Sequence, residues 1–248
     1  MKKPLNYLLE ICCYNAHDVL IAEEGGAHRV ELCSGYEVGG TTPSLGQLIV
    51  AKSISKLPIY VMIRPRGGNF TYSNFEKKII LKDIEQAIYN NADGIVFGAL
   101  HPNSTVDKEF CKVVVGACGK TPTTFHRAID ICEDYTEAIH FLAEIGVQNI
   151  LTSGGQIKAE QGIQQLKKMH ECAQNNIHIM AGSGVNADNI LSFAQLGLTH
   201  FHSSASIINK KNDEVDKIGF NATLKNNELS VVSKSKVQAM VQQLNTFF

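Results

Sequence analysis

The 248-residue chain sets 23 Lys plus Arg against 24 Asp plus Glu, a net charge of −1, and so offers no basic field to nucleic acid or an anionic membrane surface. At 44% hydrophobic and 19% charged residues it lies outside the disordered class, and no apolar run approaches the roughly 20 residues of a membrane-spanning helix. The length suits a single (β/α)₈ barrel.

Met1-Lys2-Lys3-Pro4 opens directly onto a strand-like run with no signal h-region, so a cytoplasmic protein is expected. The seven cysteines are odd in number and include no CxxC pair, which predicts reduced thiols in place of a disulfide framework. Eight short apolar runs follow in chain order: 8–13, 29–33, 59–63, 94–98, 123–127, 149–153, 177–181 and 199–203. Helical spacing separates them, for example over 16–24, 45–55, 75–91, 136–145, 159–174 and 188–195. Turn formers before the next run, as in Gly25-Gly26-Ala27 and Ile145-Gly146-Val147, read as helix C-caps. Strand, helix, strand repeats require parallel pairing. Eight of them over about 8–205 predict a single-domain TIM-like barrel, with a polar loop over 207–233 and a closing helix over about 234–244. The open doubly wound sheet is disfavoured because no G-x-G-x-x-G follows the first run.

Alternation within the runs places Glu10 and Cys12 on one face, Arg29, Glu31 and Cys33 on another, and Tyr60, Met62 and Arg64 on a third. With these faces inward, Glu10, Glu31 and Arg64 form a charged cluster beside Cys12, Cys33 and Met62. Two buried carboxylates need an arginine or a proton between them. Two thiols and a thioether are soft ligands suited to Cu(I), although free cysteine also serves as a small buried hydrophobe. Arg64-Pro65-Arg66-Gly67-Gly68 offers two guanidinium forks to an anion. His126 is a candidate acid or base, oriented by Glu10, Glu31 or Asp130, and Arg127 follows it. The glycine-rich ends Ser153-Gly154-Gly155 and Gly182-Ser183-Gly184 present backbone N–H groups suited to phosphate or carboxylate. His200 and His202 share a face of the last run, with His202 nearer the site end.

Two functions stay open on these residues. One is a Cu(I)-binding protein using Cys12 and Cys33. The other is an enzyme for a small anionic or phosphorylated metabolite, with Glu10, Glu31 and His126 catalytic and with Arg64, Arg66, Arg127, Ser153, Gly154, Gly155, Gly182 and Gly184 holding the anion. The partner is accordingly a copper ion or a small anionic molecule, with neither nucleic acid nor membrane.

Several segments resemble the CutC family: Leu9-Glu10-Ile11-Cys12, Gly25-Gly26-Ala27-His28-Arg29-Val30-Glu31-Leu32-Cys33-Ser34, Gly39-Gly40-Thr41-Thr42-Pro43-Ser44, Val61-Met62-Ile63-Arg64-Pro65-Arg66-Gly67-Gly68, Gly94-Ile95-Val96-Phe97-Gly98, Thr124-Phe125-His126-Arg127-Ala128 and Leu151-Thr152-Ser153-Gly154-Gly155. The likeness runs in order over about 8–205. It implies a barrel fold, a cytoplasmic location, a role in copper homeostasis, Cu(I) ligation by Cys12 and Cys33, and association into homo-oligomers. The chain departs from the family at Cys13-Tyr14-Asn15, where Val-Asp-Ser is more usual, and at Gly182-Ser183-Gly184, where three glycines are.

Overall fold

A computed structural model describes residues 6–210 and 228–248. Eight parallel strands close into a barrel in sequence order: β1 (Leu8–Cys13), β2 (Arg29–Leu32), β3 (Ile59–Met62), β4 (Gly94–Phe97), β5 (Thr123–Phe125), β6 (Asn149–Thr152), β7 (His178–Ala181) and β8 (His200–Ser203). The ring closes where Leu8 of β1 pairs with His200 of β8, and Glu10 with His202.

Seven crossover helices surround it: α1 (Ala16–Gly25), α2 (Leu45–Ile54), α3 (Asn74–Tyr89), α4 (Lys108–Cys118), α5 (Tyr135–Glu144), α6 (Ile163–Ala173) and α7 (Ile190–Ala194). Polar side chains start most of them. Asn15, Ser44, Asp107 and Asp134 cap α1, α2, α4 and α5, and Ser73 forms a reciprocal capping box with Glu76 on α3. The run expected to be helical from 159 becomes α6 only at Ile163. Gly162 is packed so closely on the β6 loop that a Cβ there would lie 2.0 Å from the Ser153 carbonyl.

Strand alternation divides the interior in two. Leu9, Ile11, Cys13, Val30 and Leu32 face the helices and join the main apolar core. Cys12, Cys33, Tyr60, Met62 and Val96 form a separate cluster inside the barrel. The interior is thus less aliphatic than a barrel normally requires.

Beyond the barrel, the expected loop over 207–233 proves to be a strand at each end. β9 (Ser206–Lys210) pairs antiparallel with β10 (Glu228–Val232), and the intervening 211–227 lie outside the described residues. Val232 is buried and its N–H donates to Asp18 at 3.1 Å, tying this ribbon to α1. The closing helix α8 (Lys234–Phe247) inserts Val237, Met240 and Leu244 into the core. Among the described residues no helix is long and apolar enough to cross a membrane.

Candidate functional site

The register of β1 against β2 sets Glu10 opposite Arg29 and Cys12 opposite Glu31. Glu10 is fully buried and accepts from Arg29 Nε at 2.5 Å and from His202 Nδ1 at 2.7 Å. Burial alone would raise its pKa, but the Arg29 charge and the His202 contacts outweigh it and hold the carboxyl at about 2. Arg29 lies over the Tyr60 ring, 3.9 Å from its centre. Glu10 therefore finds its arginine on the neighbouring strand, and not in Arg64 as expected.

His202 reaches both carboxylates, since its Nε2 lies 3.9 Å from Glu31 Oε2. Burial opposes its charge, yet Glu31, Cys12 and Glu10 together push its pKa well above the usual value. Glu31 is also pushed upward, first by burial and then by the Cys12 charge, so its carboxyl titrates well above the ordinary range. Its Oε1 is buried and has no partner among the described residues.

The two thiols complete this network. Cys12 Sγ and Cys33 Sγ are 3.9 Å apart, and Cys33 Sγ lies 3.3 Å from Glu31 Oε2. The Cys33 S–H has one proton for two acceptors. Donated to Cys12, it lowers that thiol well below its ordinary pKa against the opposing effect of burial, and His202 adds to the lowering. Burial, with Cys12 and Glu31 alongside, raises Cys33. Ligand atoms of Cys12, Glu31 and Cys33 all lie within 4.8 Å of one another, as do those of Glu10, Glu31 and His202.

These groups back onto a cavity of about 290 Å³ at the C-terminal mouth of the barrel. Of the residues the sequence singled out, Cys12, Glu31, Arg64, His126, Arg127 and Gly184 line it, together with Met62 and His202. Arg64 is buried and gives its fork to three main-chain carbonyls, Val38, Gly40 and Gly68, each at 2.8 Å. His126 is not oriented by a carboxylate. Its Nδ1 accepts from the Ala128 N–H at 3.1 Å, and burial followed by the Arg64 charge lowers its pKa to about 3.

Other candidates are engaged elsewhere. Arg66 pairs with Glu76 at 2.5 Å and donates to the Thr71 carbonyl, so it braces the loop ahead of α3 outside the cavity. The β6 loop already holds an anion of the protein's own, the Asp130 carboxylate. It accepts from the Ser153 N–H at 3.0 Å, the Gly155 N–H at 3.1 Å, Ser153 Oγ at 2.9 Å, Thr152 Oγ1 at 2.5 Å and Arg127 Nε at 2.8 Å. The Gly154 N–H goes to Thr152 Oγ1. Gly182 lets β7 approach Leu151, where a Cβ would come within 2.4 Å of its Cδ1.

Two features escaped the sequence reading. Arg29 shares a face with Glu31, and its position opposite Glu10 was recoverable from strand pairing. The glycines at the two ends of the fourth run are spaces for other side chains: a Cβ at Gly94 would sit 2.5 Å from the Tyr60 ring and one at Gly98 would sit 2.4 Å from His126 Cε1. No local pattern signals such a clearance.

The family model described as CutC family matches residues 7–207. A family protein CutC of Bacteroides fragilis is 40% identical over 97% of this chain and 98% of its own length. The human copper homeostasis protein cutC homolog is 42% identical over 80% of this chain and 73% of its own. Among solved structures, a Streptococcus agalactiae protein described as a copper homeostasis protein CutC superposes with a TM-score of 0.76 at 34% identity, covering 80% of this chain and 98% of that one. An aldolase with a TM-score of 0.61 over 83% of this chain and 93% of its own is 15% identical and shares the fold alone.

Proposed function

Since this chain belongs to the CutC family, we propose that it serves copper homeostasis by binding Cu(I) between Cys12 and Cys33. One observation carries this reading: two buried sulfurs 3.9 Å apart in a cluster that also contains the Met62 thioether. Thiolate and thioether together suit a soft monovalent ion and are poor ligands for hard cations. The donor set fits copper as cargo.

The surrounding residues prepare the sulfurs. Cys12 lines the cavity and is the accessible member of the pair, while Cys33 lies fully buried behind it. His202 faces the Cys12 sulfur and favours its thiolate form. When Cys33 becomes a ligand its proton is released beside the Glu31 carboxyl group, whose Oε2 lies 3.3 Å from the sulfur. All seven cysteines are free, which suits work in the reducing cytoplasm.

Titration of the reduced protein with Cu(I) against a competing colorimetric chelator tests the assignment. The wild type is expected to take one ion per chain, and Cys12→Ser/Cys33→Ser to lose it. Unchanged affinity in the double variant sinks the proposal.

A further inference from the structure

Arg64 is a buried cation with no anionic partner among the described residues. Its side chain lines the cavity, its two terminal nitrogens are given to neutral carbonyls, and its Nε is buried without a partner. Of the nearby carboxylates, Glu10 is matched to Arg29 and His202 and Asp130 to Arg127, while Glu31, which also lines the cavity, faces His202 at 3.9 Å. A guanidinium withdrawn from water without a counter-charge is a costly arrangement, and binding an anion relieves it.

A second unsatisfied donor lies on the same cavity. Because His126 Nδ1 accepts the Ala128 N–H, the proton of the neutral ring sits on Nε2, and Nε2 is buried with no partner among the described residues. Phe70 joins these two side chains, its ring centre 5.0 Å from the Arg64 guanidinium carbon and 4.8 Å from the centre of the His126 ring, which is tilted to it by 49°. Leu151 adds further apolar wall. Beside the Cys12, Glu31, His202 and Arg127 side chains that also line it, the cavity thus presents one charged donor, one neutral donor and apolar walls. Its volume of about 290 Å³ is at the small end of ligand pockets, enough for a molecule of a few carbons.

We propose that this cavity binds a small oxo- or hydroxy-monocarboxylate, its carboxylate facing Arg64 and its neutral oxygen accepting from His126 Nε2. A phosphate matches the site less well. The backbone donors of the β6 loop that would cradle it are taken by Asp130 and Thr152, and Arg127 is neutralised by Asp130. Of the two arginines on this cavity Arg64 is the one without a carboxylate partner among the described residues, and a singly charged anion matches it. Neither proposed donor is a thiol, but Cys12 lines the same cavity, so the anion titration is made on copper-free protein and read separately from copper binding.

Calorimetric titration with pyruvate and with lactate, using acetate and inorganic phosphate as comparators at constant ionic strength, tests this. Wild-type protein should bind pyruvate or lactate saturably, acetate about tenfold more weakly, and show no competition from equimolar phosphate. Arg64→Lys should abolish binding, but it also strips three carbonyls of their donor and endangers the fold. His126→Asn is the decisive variant, because its side-chain oxygen can still accept from the Ala128 N–H. It should weaken pyruvate or lactate at least about tenfold, the loss of one hydrogen bond to the ligand, and leave acetate unchanged. Absence of saturable binding by either compound, equal affinity in His126→Asn, or effective competition by phosphate overturns the proposal.

Discussion

Arg29→Met isolates the ion pair at the centre of the barrel. The Glu10 side chain is fully buried and that of Arg29 is 5% exposed, so removing the guanidinium strands a carboxylate away from water. Breaking such a pair costs about 3–5 kcal/mol. His202 remains as a second partner at 2.7 Å, which favours the lower half of that range, while loss of the stacking on Tyr60 adds about 1 kcal/mol. A total of about 4 kcal/mol corresponds to a fall in Tm of roughly 8–16 °C for a chain of this size. The effect must depend on pH in a definite sense. In the wild type Glu10 titrates at about 2 instead of about 4.5, so its contribution is fully present above pH 4.5 and is lost as pH falls through 2. The difference between wild type and variant is therefore largest near neutrality and shrinks below pH 4.5. Urea denaturation from pH 7 to pH 3, on Arg29→Met, Glu10→Gln and the double variant, measures all of this. The double variant should be several kcal/mol better than the sum of the singles. A cost under about 1 kcal/mol, a pH-independent difference, or additivity refutes the reasoning.

Asp130→Ala empties the anion seat of the β6 loop and should cost about 3 kcal/mol; the vacated donors should then make Tm rise with added sulfate, a response the wild type lacks. Gly98→Ala drives a methyl into His126 and should destabilise the fold by about 1–3 kcal/mol in denaturant titrations, with a larger loss at this site than for Gly116→Ala, whose Cβ would meet nothing within 4 Å. His200 is held neutral, its pKa lowered to about 3 by burial and then by His178 and Arg29. Below pH 6.5 the unfolded chain takes a proton that the folded chain refuses, so stability declines from 6.5 toward 3; His200→Gln should flatten that decline by about 1.4 kcal/mol per pH unit.

Much of this site is legible in period-two alternation. Glu10 and Cys12, then Arg29, Glu31 and Cys33, fall on the inward faces of adjacent strands, and one βα unit separates the thiols. Arg64 shows where that reasoning stops. It lies two residues past the end of β3, beyond the ladder that enforces alternation, and its fork turns to the carbonyls of Val38, Gly40 and Gly68. The β6 loop fails for another reason. Ser153-Gly154-Gly155 has the pattern of a seat for an anion, but the tertiary fold brings in Asp130 from the preceding unit, and a local pattern cannot distinguish an internal carboxylate from an external one. Polar composition likewise concealed the β9 and β10 pairing, which rests on backbone bonds and on Val232, buried at the end of β10.

Closure of the ring has a consequence for biosynthesis. Cys12 and Cys33 are 21 residues apart and can meet as soon as the second strand leaves the ribosome, whereas Glu10 is separated from His202 by 192 residues. At about 5–20 residues per second of translation, Glu10 waits roughly ten to forty seconds for its histidine. Throughout that interval the nascent chain carries two adjacent thiols with no finished barrel around them. Oxidation or premature metal capture at that stage would join the first two strands before the eighth exists, so the yield of competent protein should depend on the thiol redox state during synthesis more than afterwards.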